Sequence, residues 1–128
     1  MTPETSTAYR GALIVWTLML LSVFLHLVIT AIVPAAAMPD PKSTRYVTLL
    51  VVSVALLLLS FTVPRAVRQP GPRGAMASLA LALAMCEAAS ICGLLLHFAL
   101  AWQYYWICML LGGAGMLLHF PRRQAFEL

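Results

Sequence analysis

A run of 25 residues from Ala75 to Ala99 carries one charged side chain, Glu87, near its middle. An apolar run of about 20 residues is long enough to cross the hydrocarbon core of a bilayer as a helix. An ionised carboxylate at the centre of the bilayer is costly, so we expect Glu87 to be protonated or to face a charged partner. The run therefore predicts a membrane-spanning helix and makes Glu87 the first candidate for a functional residue.

The composition extends this interpretation to the whole chain. Of the 128 residues, 62% are hydrophobic and 9% are charged, whereas a soluble domain carries about 25% charged residues. We therefore predict an all-α integral membrane protein that forms a single domain, 1–128. The net charge of +4 comes mainly from residues between the apolar runs, where basic side chains set the topology. We expect lipids as partners and no nucleic acid.

The order of apolar and polar segments predicts the architecture. Apolar spans are expected at about 11–33, 46–63, 75–99 and 104–120. Their connections predict a four-helix bundle made of two antiparallel transmembrane hairpins, with an extended polar loop over 64–74 and a tight turn at 100–103. The first apolar run is longer than a usual signal-peptide core, so we expect it to remain as an uncleaved span.

Basic residues are distributed unevenly over the two sides of this bundle. Those at the N-terminus, in the middle loop and at the C-terminus are Arg10, Arg65, Arg68, Arg73, Arg122 and Arg123. The opposite side has only Lys42 and Arg45. Because cytoplasmic loops carry the excess of basic residues, we predict a bacterial inner-membrane protein with both termini in the cytoplasm.

Small residues are concentrated around the depth of Glu87. On a helix, Ala80, Ala84 and Ala88 form a stripe along one face. Glu87 borders this stripe, and Ser90 follows one turn later. A tight turn after the third span would return the glycines of the fourth span to the same depth, where a backbone group could be the partner of Glu87. Small residues let helices approach closely in lipid. The candidates for helix packing are Ala80, Ala84, Ala88, Gly112, Gly113 and Gly115.

Three histidines, His26, His97 and His119, fall inside the predicted spans. An intramembrane histidine can ligate haem or the metal of a chlorin, but it can equally bond a neighbouring helix or reach the interface. The cysteines are odd in number and lack CxxC spacing, which predicts neither a disulfide framework nor a metal site. The sequence requires no cofactor, and leaves lipid, chlorin pigment or haem as candidates at an interface.

The second and third spans, about 46–99, carry a more specific pattern. Arg68-Gln69-Pro70 is followed 17 residues later by the midspan acid Glu87 and then by the segment AASICGL. This hairpin resembles the proteolipid c subunit of rotary ATP synthases, in which a cytoplasmic Arg-Gln-Pro loop precedes the helix with the ion-binding carboxylate.

The resemblance implies that Glu87 is the ion-binding acid and that Arg68 and Gln69 meet a cytoplasmic stalk. Arg65 and Arg73 in the same loop are candidates for contacts with headgroups or with a cytoplasmic subunit. The family's first helix carries a GxGxGxG repeat for ring packing, whereas span 46–63 contains no glycine. We therefore do not expect a homo-oligomeric ring.

These features favour a small non-catalytic accessory subunit of a larger energy-transducing membrane complex, respiratory or photosynthetic. Larger integral membrane subunits would be its partners. The alternative is an ion-translocating proteolipid that works through Glu87, and a third hypothesis is a small channel or transporter made by self-association. No nucleophile–base pair, phosphate-binding loop or metal constellation is evident in the sequence, so we predict that the chain is not an enzyme.

Overall fold

The computed structural model describes residues 1–35 and 44–128, and within them the chain is helical. The helices are α1 (Pro3–Ile32), α2 (Arg45–Ala66), α3 (Gly71–Phe98), α4 (Trp106–Leu118) and α5 (Arg123–Glu127). The first three are long and apolar enough to cross a membrane. The prediction of an all-α chain with membrane-spanning helices is therefore confirmed. Lys42 and most of the connection between the first two predicted spans lie outside the described residues.

The fourth helix is shorter than the predicted span 104–120. Its 13 residues extend over about 20 Å, less than the roughly 30 Å of a bilayer core. Tyr104 and Tyr105 belong to the turn before α4, and His119 caps its end. The described chain thus has three helices of membrane-spanning length and a short fourth apolar helix.

The first helix begins eight residues before the predicted span, which started at residue 11. The side chain of Thr2 accepts a hydrogen bond from the backbone N–H of Thr5, Pro3 occupies the first turn, and Glu4 is acidic at the positive end of the helix dipole. All three are signals for a helix N-terminus. The polar N-terminal residues therefore extend α1 instead of forming a separate tail.

The predicted extended loop 64–74 is wrong, because only residues 67–70 separate α2 from α3. Pro64 lies in the last turn of α2, and its carbonyl oxygen accepts a hydrogen bond from Ser78 Oγ at 3.0 Å. Pro72, in the first turn of α3, suits a helix start because proline lacks the N–H that would be unpaired there. Pro72 therefore falls where a helix tolerates proline, whereas Pro64 lies inside α2 and removes one intrahelical N–H donor.

The C-terminal residues after Pro121 also form structure that the sequence analysis did not predict. In α5, Phe126 is buried against Ala12 of α1 and Ala75 of α3. Its ring meets the edge of Tyr9 at 5.7 Å between centroids. Phe126 is the large apolar side chain that packs this segment against the bundle.

Helix α3 is the centre of the bundle. In its most apolar window 44% of the residues are buried, against 11% in α1 and in α2. Helix α3 touches α1, α2, α4 and α5, whereas α1 and α2 do not contact each other in the described ranges. One side of α3 therefore stays open between α1 and α2.

The side of α3 that faces α4 is packed so closely that it requires glycine. A Cβ added at Gly112 would lie 2.6 Å from the carbonyl oxygen of Cys86, and one at Gly115 would lie 2.7 Å from Cys86 Sγ. On α3, a Cβ at Gly93 would lie 2.9 Å from the carbonyl oxygen of Tyr105. These distances are too short for ordinary contact, so the glycines set the spacing between the two helices.

Candidate functional site

Glu87 faces α1. Its Oε1 accepts a hydrogen bond of 2.6 Å from Ser22 Oγ, which links the middle of α3 to the middle of α1. The side chain of Glu87 is 17% exposed. The short connection predicted a partner from the glycines of α4, but the hydrogen-bond partner of the acid is Ser22 of α1.

His26 completes the site one turn after Ser22 in α1. Its Nε2 lies 3.5 Å from Glu87 Oε1, and its Nδ1 lies 3.1 Å from Ser90 Oγ. Residues four apart in α1 and three apart in α3 project from the same face of their helices. Ser22, His26, Glu87 and Ser90 therefore form one polar cluster between α1 and α3, which we call the α1–α3 polar cluster.

The carboxyl group of Glu87 is engaged on one side only. Oε1 has contacts with Ser22 and His26, whereas Oε2 is buried without a hydrogen-bond partner among the described residues. An unsatisfied polar atom in a low-dielectric environment is costly. The α1–α3 polar cluster thus combines an imidazole with a carboxyl group that has one bonded oxygen and one buried, unpaired oxygen.

Glu87, Ser90 and His26 were candidates from the sequence, but no pattern was used to bring them together. Glu87 was predicted as an isolated acid among the spans, and Ser22 was not among the candidates. The available signal was the spacing Ser22-x-x-x-His26 in an otherwise apolar run, matched by Glu87-x-x-Ser90. Two polar pairs at helical spacing on two hydrophobic helices indicate faces that can satisfy each other.

The predicted helix-packing residues divide into two groups. Gly112 and Gly115 are buried against α3 at the level of Cys86 and Ser90, and Gly113 is half-buried, where an added Cβ would lie 3.6 Å from Val23 Cγ1. Ala80 and Ala84 are exposed and Ala88 is half-buried, so the alanine stripe is not the face on which α3 packs within this chain. The small residues on the packed face of α3 are instead Ala82, Cys86, Ala89, Ser90 and Gly93.

The other two histidines have separate contacts within the chain. His97 Nε2 lies 2.8 Å from the carbonyl oxygen of Val33, at the end of α1. His119 Nε2 lies 3.0 Å from Ser60 Oγ, and its ring stacks on Phe61. All three histidines thus serve contacts between helices, and the described residues contain no group of three or more His, Cys, Asp or Glu side chains that could hold a metal ion.

The predicted cytoplasmic contact residues lie at one end of the bundle. Arg65, Arg68, Gln69 and Arg73 are all exposed. Arg68 donates a hydrogen bond to the carbonyl oxygen of Ala125, and Arg73 forms an exposed ion pair with Glu4 at 3.6 Å. Two of these arginines therefore tie the α2–α3 connection to the chain termini.

The three cysteines are free and buried. They lie on the packed sides of α3 and α4, where their small side chains fill space between helices.

Comparison of the chain with known protein families, with curated proteins and with solved structures gave no match.

Proposed function

We propose that this chain is a small non-catalytic subunit of a larger energy-transducing membrane complex, respiratory or photosynthetic. In this proposal the helices form two antiparallel hairpins in a bacterial inner membrane, with both termini in the cytoplasm. The excess of arginines at the end of the bundle that holds both termini supports the orientation. The resemblance of the Arg68-Gln69-Pro70 loop and Glu87 to a rotary proteolipid supports the energy-transducing class.

The observation that carries the proposal is the open face of α3, the side that neither α1 nor α2 covers. We define it by its exposed residues Ala77, Ala80, Ala84, Ile91 and Leu95. In the N-terminal half of α3 the exposed side chains of this face are alanines. The backbone of the central helix is therefore accessible between α1 and α2. Small residues at such a position let a second helix approach closely, which favours helix association in lipid.

The position of Glu87 supports the same function. The acid borders the open face, and its Oε1 is already bonded to Ser22 within the chain. A helix seated between α1 and α2 would cover the part of the Glu87 side chain, 17%, that is exposed in this chain. The acid would then serve as a structural contact, both within the chain and toward a partner.

Co-purification from native membranes tests this proposal. The tagged full-length chain should migrate on a native gel with larger integral membrane proteins in fixed stoichiometry. The double variant Ala80→Leu/Ala84→Leu should lower the recovered partner by about tenfold, because bulky side chains prevent close helix approach. The matched control is Ala55→Leu, an exposed alanine of α2, which should leave recovery unchanged. Equal recovery with both variants, or a detergent-resistant ring of this chain alone, would refute the proposal.

A second candidate function, ion translocation through Glu87, is favoured by the proximity of His26 and by the unpaired Oε2. A proton held on the carboxyl group could pass to the imidazole, because Glu87 Oε1 and His26 Nε2 lie 3.5 Å apart. In that case Glu87 in native membranes should react with dicyclohexylcarbodiimide, and low pH or sodium should change the rate by about tenfold. If Glu87 is a structural contact, the rate should be slow and insensitive to both. The Glu87→Gln variant provides the unreactive reference for the labelling measurement.

A further inference from the structure

A cavity of about 280 Å³ lies at the end of the bundle where α2 ends, α3 begins and α4 leads into α5. Its charged lining residues are Arg65, Arg68 and Arg122. A water molecule occupies about 30 Å³ of liquid, so the cavity has room for a group of several heavy atoms. Because it adjoins the ends of apolar helices, it lies at the level of the membrane surface, whichever side faces the cytoplasm.

The cavity is positively charged without internal compensation. No acidic residue of the described ranges, 1–35 and 44–128, lines it. In the described part of the chain, the ion pairs are those of His26 with Glu87 and of Arg73 with Glu4, so none of the three cavity arginines is paired with a carboxylate. Arg68 gives one N–H to the carbonyl oxygen of Ala125, and a guanidinium has further N–H donors available.

The walls of the cavity change from polar to apolar. Ser78 and the Ser60–His119 pair supply polar groups. Ser78 Oγ donates to the carbonyl oxygen of Pro64, and Ser60 Oγ lies 3.0 Å from His119 Nε2, so these groups are held in place. Leu79, Ala82 and Phe126 line the apolar part. A ligand for this cavity must therefore present negative charge to the arginines while tolerating hydrocarbon on its other side.

We propose that this cavity binds the phosphate group of an anionic phospholipid headgroup. Arginine matches phosphate oxygens with paired N–H donors, and basic pockets between membrane helices select anionic lipids at the headgroup level. The apolar wall accommodates the start of the acyl region. A free phosphate ion carries the same negative charge but makes no apolar contact with that wall. The geometry therefore favours a lipid headgroup over free phosphate.

Titration of the full-length chain in neutral detergent tests the proposal. The probe is short-chain phosphatidylglycerol, read as a shift of the thermal unfolding midpoint, with phosphatidylcholine and inorganic phosphate in parallel. We expect saturable stabilisation by phosphatidylglycerol alone. The double variant Arg65→Gln/Arg122→Gln should weaken the apparent affinity by about tenfold or more, and Arg65→Lys/Arg122→Lys should restore part of it.

The matched control is Arg10→Gln/Arg123→Gln, which removes the same charge from two exposed arginines outside the lining of the cavity. It should leave the affinity within about twofold of the parent protein, since its charges contribute only through the screened surface field. Equal losses in the two double variants would overturn the site in favour of diffuse surface charge. Saturation by inorganic phosphate at the affinity of the lipid, or no saturable effect of phosphatidylglycerol, would also overturn it. Circular dichroism of each variant confirms that the helices are intact.

Discussion

Gly112→Ala should destabilise the bundle by about 1–3 kcal/mol, the usual effect of forcing an extra methyl group into a tightly packed site. The added Cβ would lie 2.6 Å from the carbonyl oxygen of Cys86 and 3.0 Å from Ser90 Cβ. The carbonyl belongs to the backbone of the central helix, so it cannot move away as a flexible side chain would. Helix α4 must instead shift outward and lose contacts along its length.

The neighbouring glycine provides the control for Gly112. A Cβ at Gly113 would meet only Val23 Cγ1, at 3.6 Å, which is ordinary van der Waals contact. Gly113→Ala should therefore be neutral, or more stable by up to about 1 kcal/mol because alanine has the higher helix propensity. Titration of the fraction unfolded in mixed micelles, followed by circular dichroism, measures both variants. If the two variants have the same midpoint, close contact between α3 and α4 does not limit stability.

The sequence predicted the helical class and the approximate positions of the long helices because long apolar runs are unambiguous. It predicted less well where each helix ends. Pro64 and Pro72 suggested an extended loop, yet both lie inside helices. Pro72 falls in the first turn of α3, where the missing N–H has little effect, whereas Pro64 falls in the last turn of α2, where it removes one backbone hydrogen bond. A proline marks a boundary to within a few residues but does not decide on which side of it the helix stops.

The packing partners of each helix were harder to predict because periodicity alone does not say which face meets which neighbour. Ala80 and Ala84 form a regular stripe, but the packed face of α3 is that of Ala82, Cys86 and Ala89. Both faces are rich in small residues, so composition could not separate them. Gly112 and Gly115 of α4 lie at the depth of the acid, as expected from the length of the connection, but they face Cys86 instead of the carboxyl group.

The α1–α3 polar cluster could be anticipated only in part. Glu87 is conspicuous as the one charged residue of its run. Its contact with Ser22 depends on the rotation of two helices about their axes, which residues 65 positions apart in the chain do not reveal. Pairs of polar residues at helical spacing give the relevant signal, since each hydrocarbon-embedded polar group needs a partner.

Removing the carboxyl group of Glu87 should have the second large effect on stability. In Glu87→Ala, Ser22 Oγ loses its acceptor and the contact of His26 Nε2 disappears. Hydrogen bonds between membrane helices contribute about 0.6 kcal/mol on average and up to about 1.7 kcal/mol. Adding the cavity left by the side chain, we expect a loss of about 2 kcal/mol in the free energy of unfolding.

Glu87→Gln separates the hydrogen bond from the charge. The amide keeps an oxygen that can accept from Ser22, so the variant should remain within about 0.5 kcal/mol of the parent protein. A double-mutant cycle of Glu87→Ala with Ser22→Ala should give a coupling energy of about 0.6–1.7 kcal/mol. The same cycle with Thr17→Ala should give none, because Thr17 Oγ1 donates to Leu13 within α1.

The same variants distinguish the two candidate functions. If Glu87 is a structural contact, Glu87→Gln should preserve both the fold and the recovery of partner proteins, since the acceptor for Ser22 remains. If Glu87 carries ions, Glu87→Gln should fold normally and abolish ion transport in reconstituted vesicles, because an amide does not ionise at neutral pH. A coupling energy near zero between Ser22 and Glu87 would contradict the structural assignment, since the 2.6 Å contact would then contribute nothing to the folded state.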